Sequence, residues 1–178
     1  SYNRLDAFAW LPMLCLGMAN TTFVGQNLGA GKLDRVKKGV NIGILIAMAG
    51  TLIIVIPLMC FSDTMLKLFN SDPEVLRYGR MFVLYMSPFY IPYCATQIYS
   101  GALRGAGDSL SPMIVTIASF VVFRQLYLLI GTQFISSPLF VGLSYPAGWI
   151  VSTITLFIIY RSGRWEKKLP AHVRMQAA

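Results

Sequence analysis

Residues 39–61 and 81–103 each run 23 residues without a charged side chain. A buried helix in a soluble α/β protein breaks its apolar run at about 10 to 14 residues, whereas crossing a hydrocarbon layer of about 30 Å takes about 20. Composition agrees: 56% of the residues are hydrophobic and 12% are charged, against roughly 25% charged in a soluble domain. The chain therefore reads as an all-α integral membrane protein, a polytopic helical bundle. Barrel strands are not expected, because the runs lack period-2 alternation and a lipid-exposed backbone must close its own hydrogen bonds.

Five spans are expected, at 5–28, 39–61, 75–103, 110–135 and 138–160, with a basic tail over 161–178. The longest connection, 62–74, carries Met65, Leu66, Leu68 and Phe69, which fit a turn of amphipathic helix at the interface or an ordinary capped loop. Pro88 and Pro92 predict a kink in the third span, since each removes a backbone donor. Cys15, Cys60 and Cys94 fall in apolar segments without metal-ligand spacing. They are expected as free, buried thiols, with no disulfide framework and no metal site.

A net charge of +8 would invite a nucleic-acid reading in a soluble protein. Here the charges sort by side of the membrane. If span one runs inward, the inner side holds Lys32, Arg35, Lys37, Lys38, Arg104, Arg161, Arg164, Lys167, Lys168 and Arg174, and the outer side Arg4, Lys67, Arg77 and Arg80. That excess places the C-terminus in the cytoplasm of a cell bounded by the inner (plasma) membrane, and anionic lipid rather than nucleic acid suits the basic residues. An odd number of spans leaves Ser1 outside, with no initiator Met and no signal peptide. The chain is expected to be an internal-to-C-terminal stretch of a longer protein.

Between spans one and two lies Val24-Gly25-Gln26-Asn27-Leu28-Gly29-Ala30-Gly31-Lys32-Leu33-Asp34-Arg35. It fails as a nucleotide-binding P-loop: counting back from Gly31-Lys32 puts Gln26 where the first glycine belongs, and Leu33 replaces the metal-binding hydroxyl. It suits a helix end, where Gly29 and Gly31 can take φ > 0 and Gln26 and Asn27 can satisfy freed backbone groups. A second glycine turn, Gly101-Ala102-Leu103-Arg104-Gly105-Ala106-Gly107-Asp108, closes the third span on the same side.

Arg124 lies eleven residues from either end of the apolar stretch 113–135. A cation at that depth costs roughly 2.5 to 3.5 kcal/mol on insertion scales, so it should face the bundle or water and donate to neighbouring helices. On the third span Met86, Tyr90, Tyr93 and Gln97 follow i+3/i+4 steps toward Gly101. This stripe is either a substrate cavity wall, since aromatic faces attract organic cations and Met adapts in shape, or ordinary packing. Asn20, Thr21 and Thr22 are expected to make interhelical hydrogen bonds. His172 sits in the polar tail, and no nucleophile-and-base set or metal cluster calls for an enzyme.

Taken together, Gly25, Gln26, Asn27, Gly29 and Gly31 with Arg35 four residues on, then Gly101, Leu103, Arg104, Gly105, Gly107 and Asp108 about seventy residues later, resemble the paired turns of the multidrug and toxic compound extrusion (MATE) family. Pro112 and the central Arg124 also resemble the corresponding family helix. The resemblance implies the last five of twelve helices, the missing N-terminal lobe lying on the same chain. It implies a cation-coupled antiporter that exports organic, often cationic compounds by alternating access, with no cofactor beyond a coupling proton or sodium ion. In one branch of the family an acidic residue eight positions before the Gly-x-Leu-Arg-Gly turn joins in coupling; that position here is Tyr93, a poor sodium ligand. Asp6 is a weak alternative coupling carboxylate, and the main one is expected outside this stretch. A lipid-linked oligosaccharide flippase of the same superfamily, or a non-transporting accessory subunit, are the alternative functions.

Overall fold

The computed structural model describes residues 2–67, 72–131, 133, 138–167 and 169, with side chains for all of these except 2–9, 63, 75, 138, 139 and 167. Helices α1 (Tyr2–Gly29) and α2 (Leu33–Cys60) form a long hairpin. Short α3 (Ser62–Lys67) leads to α4 (Pro73–Met86), a 3₁₀ turn at Ser87–Phe89 and α5 (Tyr90–Gly105). Then come α6 (Leu110–Ile117), a π-helical segment at Ala118–Phe123, α7 (Arg124–Gly131), α8 (Pro138–Arg161) and the short α9 (Arg164–Lys167).

Among the described residues, Leu33–Cys60, Leu110–Gly131 and Phe140–Arg161 are long and apolar enough to cross a membrane. Large apolar side chains point outward from them: Leu45 and Ile53 are 67% and 72% exposed, and Leu129 is 64% exposed. Inside lie Thr51, Ser87, Thr96, Ser119, Ser144 and Ser152. Water would penalise such an outer surface heavily, whereas lipid does not; of the buried hydroxyls, Thr96 pairs across helices with Thr153, while Thr51 and Ser144 donate back to carbonyls of their own helix.

The third expected span is a broken path. Pro88 sits in the 3₁₀ turn and Pro92 in the first turn of α5, where a missing N–H is tolerated. The fourth is one helical run interrupted by the π segment, which ends at Arg124. In the 62–74 connection Leu66 is buried and packs over Gly79, while Leu68 and Phe69 lie outside the described residues. One expectation is corrected: only Cys94 is buried, and the free thiols of Cys15 and Cys60 are exposed on the bundle's outer face. Helical phase turns those two toward the apolar surroundings, and an apolar thiol serves there as well as in the core.

Helix α5 is the hub, packing on α1, α2 and α8, while α6, the π segment and α7 pack chiefly on α8. Directions follow from the contacts. Gly17 meets Gly101 and Thr21 meets Gly105, so α1 and α5 are parallel. Trp149 meets Tyr90 and Tyr93 while Tyr160 meets Tyr99, so α8 runs the same way. The three parallel helices each end at a glycine with positive φ, namely Gly31 (69°), Gly107 (85°) and Gly163 (64°). All three ends, with Lys32, Arg35, Lys37, Lys38, Arg104, Arg161 and Arg164, therefore gather at one end of the bundle.

Candidate functional site

The two glycine turns share one backbone design. At the first, Gly31 N–H donates to Leu28 O (2.9 Å) and Lys32 N–H to Asn27 O (2.9 Å); at the second, Gly107 N–H donates to Arg104 O (3.0 Å) and Asp108 N–H to Leu103 O (2.9 Å). Each is a Schellman motif, with glycine in the left-handed conformation and the freed carbonyls satisfied. Asp108, buried, then accepts from Ser111 Oγ at 2.7 Å and Ser111 N–H at 3.3 Å, anchoring the start of α6.

The turns are shorter than the sequence pattern implied. Gly25, Gln26, Asn27 and Gly29 belong to α1, Arg35 to α2, and Gly101, Arg104 and Gly105 to α5, so of these turn residues Gly31, Gly107 and Asp108 lie outside a helix. Gly29 does not take positive φ, and Asn27 Nδ2 donates within its own helix to Phe23 O at 2.7 Å. Gly107, part of the second glycine pattern, is the left-handed residue of that turn.

Gly101 and Gly105 have a different purpose. A Cβ on Gly101 would run into the Gly17 carbonyl oxygen, and one on Gly105 would lie 2.5 Å from Thr21 O and 2.8 Å from Val24 Cβ. Residues 17, 21 and 25 of α1 thus meet 97, 101 and 105 of α5 in a small-residue seam. Asn20 Nδ2 donates across it to Ile98 O at 2.8 Å. Thr21 and Thr22 instead donate to Gly17 O (3.0 Å) and Met18 O (3.4 Å) of their own helix. The four-residue spacing of Gly101 and Gly105 was the available signal for this seam; Gly17 carried none by itself.

The Met86 stripe turns inward. Met86, Tyr90 and Tyr93 are buried, and half-buried Gln97 donates from Nε2 to Tyr93 Oη at 2.7 Å. Tyr93 stacks on Trp10 with ring centroids 5.0 Å apart, and Trp149 lies 5.4 Å from Tyr93 and 5.7 Å from Tyr90. Trp10 and Trp149, on different helices and far apart in sequence, complete a cluster that pins α1, α5 and α8 together. Below it Thr153 Oγ1 sits 2.8 Å from Thr96 Oγ1 and donates to Pro92 O at 2.6 Å, a polar clasp between α5 and α8.

Arg124, half-buried, faces α8: its Nε donates to Ser144 Oγ at 3.3 Å and its guanidinium carbon lies 3.7 Å from the Tyr145 ring centroid. Ser144 Oγ donates onward to Val141 O at 2.6 Å. The side chain of Asp6, and His172 altogether, lie outside the described residues. A cavity of about 530 Å³ lies elsewhere, between α1 and α2, and none of the Met86, Tyr90, Tyr93 and Gln97 set lines it. No group of three or more metal-capable side chains occurs among the described residues.

Outward apolar faces, interior polar clasps and parallel glycine-terminated helices define a polytopic α-helical membrane bundle. Residues 1–129 match the protein-family profile described as MatE, and the chain belongs to this family of transporters, which are not enzymes. Similar proteins include the probable multidrug resistance protein YpnP of Bacillus subtilis, 26% identical over 163 residues (92% of this chain, 36% of the relative). The probable multidrug resistance protein NorM of Thermotoga maritima is 24% identical over 166 residues (93% and 36%). An FAD transporter of Shewanella oneidensis is 25% identical over 119 residues (67% and 26%). The chain thus spans about a third of the length of the first two relatives.

Proposed function

We propose that this chain supplies five membrane-crossing helices of the C-terminal lobe of a twelve-helix, two-lobe exporter. The whole protein extrudes organic, often cationic compounds by alternating access, coupled to an inward proton or sodium gradient across the plasma membrane. The observation that carries this is the family match over 1–129 together with two identical Schellman turns at one end of the bundle. The basic residues gathered at that end favour a cytoplasmic position for the turns and for the tail over 161–178. Rocking one lobe against the other needs each to move as a unit, and the seam and aromatic cluster supply that rigidity.

The substrate path we favour runs beside the rim of the aromatic cluster, where Trp10 and Gln97 are half-buried and Met86, Tyr90 and Tyr93 stand behind them. Coupling is assigned to a carboxylate of the other lobe, because Tyr93 occupies the acidic position of one branch and is committed to aromatic packing. The test is to express the full-length protein in drug-sensitive cells and follow dye efflux while proton and sodium gradients are collapsed separately. Efflux that ignores both gradients would refute the secondary-transport reading. The similarity to an FAD transporter favours a second reading, export of a flavin nucleotide, and flavin release from the same cells separates it from drug efflux.

A further inference from the structure

The groove between α1 and α2 is apolar along its length and basic at one end. Leu16 and Phe23 form one wall, Ile42 and Ile46 the other, and Ile98 of α5 part of the floor. It stays open because small residues stand where side chains would fill it, Ala19 on α1 and Gly43 on α2, while Gly39 lets the Phe23 ring pack against α2. From Lys38 to Ile46 it follows about 12 Å of helix axis. At its mouth, on the end where the glycine turns gather, stand Arg35 and Lys38, three residues apart and so on one face of α2. Their neighbour Lys37 pairs with Glu166 at 2.9 Å, whereas among the described residues neither Arg35 nor Lys38 forms an ion pair.

We infer that this groove binds an anionic phospholipid, with an acyl chain along Leu16, Phe23, Ile42 and Ile46 and the phosphate held by Arg35 and Lys38. The volume of about 530 Å³ lies within the range of roughly 300–1,000 Å³ typical of ligand sites. The order of chemistry matches a lipid, since charge lies at the helix end and a long apolar channel runs from it toward mid-helix. A water-soluble anion would use the two cations and leave the apolar length empty. A zwitterionic lipid would fill the channel but bring a cationic headgroup to Arg35 and Lys38. The exposed flank of α2, with Ile42 and Ile46 at 55% and 57% exposure, gives an acyl chain lateral entry.

The test uses the full-length transporter in mild detergent, with native mass spectrometry of retained lipid. The probes are phosphatidylglycerol and phosphatidylcholine of identical acyl chains. Wild type should retain phosphatidylglycerol preferentially, and Arg35→Ala/Lys38→Ala should weaken that retention by about 25-fold, at ~5-fold for each basic residue near an anionic group. Lys37→Ala, whose partner is Glu166, should leave it unchanged. Ala19→Phe, which fills the channel without touching the charges, should abolish retention at this site. A diazirine-bearing phosphatidylglycerol should label peptides covering 16–23 and 39–46. Equal retention of both lipids, no effect of the double substitution, or labelling elsewhere would overturn the assignment. So would a cysteine at position 19 that cross-links to another segment of the transporter, because the groove would then be filled by protein.

Discussion

Gly105→Ala tests the central packing claim. A Cβ at 105 would stand 2.5 Å from Thr21 O and 2.8 Å from Val24 Cβ, so α1 and α5 must part by about 0.9 Å to regain an ordinary contact of 3.4 Å. Neither neighbour is the free end of a flexible side chain, and the strain cannot be relieved by a rotamer change. The shift would stretch the Asn20–Ile98 hydrogen bond, now 2.8 Å, beyond bonding distance. Overpacking costs about 1–3 kcal/mol and a lost interhelical bond about 0.6. Against this, alanine gains about 1 kcal/mol of helix propensity over glycine. The net expectation is destabilisation by about 0.6–2.6 kcal/mol. Gly29→Ala is the internal control: it too is a motif glycine in a helix, but nothing lies within 4 Å of its Cβ position. It should be neutral or slightly stabilising. Thermal unfolding of the full-length protein in detergent, followed by size-exclusion of the surviving monodisperse fraction, measures both. A stable Gly105→Ala beside a destabilised Gly29→Ala would refute the seam.

Gly31→Ala and Gly107→Ala should each cost about 1–2 kcal/mol, because both positions hold positive φ, and Gly31→Asn should recover part of the loss in the same unfolding assay. Arg124→Ala should lower the yield of folded protein by stranding the Ser144 and Tyr145 contacts; normal yield with transport abolished would place the residue in the mechanism instead. Thr153→Val should cost about 0.6–1.7 kcal/mol by opening the α5–α8 clasp, read as a lower unfolding temperature. Lys37→Ala should change stability by less than about 1 kcal/mol, since its pair with Glu166 is solvent-screened.

Much of the helical layout was legible from residue order. Apolar stretches long enough to span lipid announced α2 and the Leu110–Gly131 run, and glycines followed by basic residues announced helix ends. Pro88 announced the break between α4 and α5. The candidate site was legible in its members but not in its arrangement. Periodicity placed Met86, Tyr90, Tyr93 and Gln97 on one face, yet could not say that this face meets Trp10 and Trp149. Cys15 and Cys60 went astray for the same reason: in lipid, the surroundings are as apolar as the core, so hydrophobicity no longer separates inside from outside.

The sequence by itself determined that this is a membrane-embedded helical bundle with paired glycine turns, because the length of a charge-free run and the backbone freedom of glycine are local properties. Tertiary structure alone decided which glycine does what. Gly31 and Gly107 hold left-handed turns, Gly101 and Gly105 admit a neighbouring backbone, and Gly43 keeps a groove open. One residue type serves three ends here, and the difference lies in what the partner helix places opposite it.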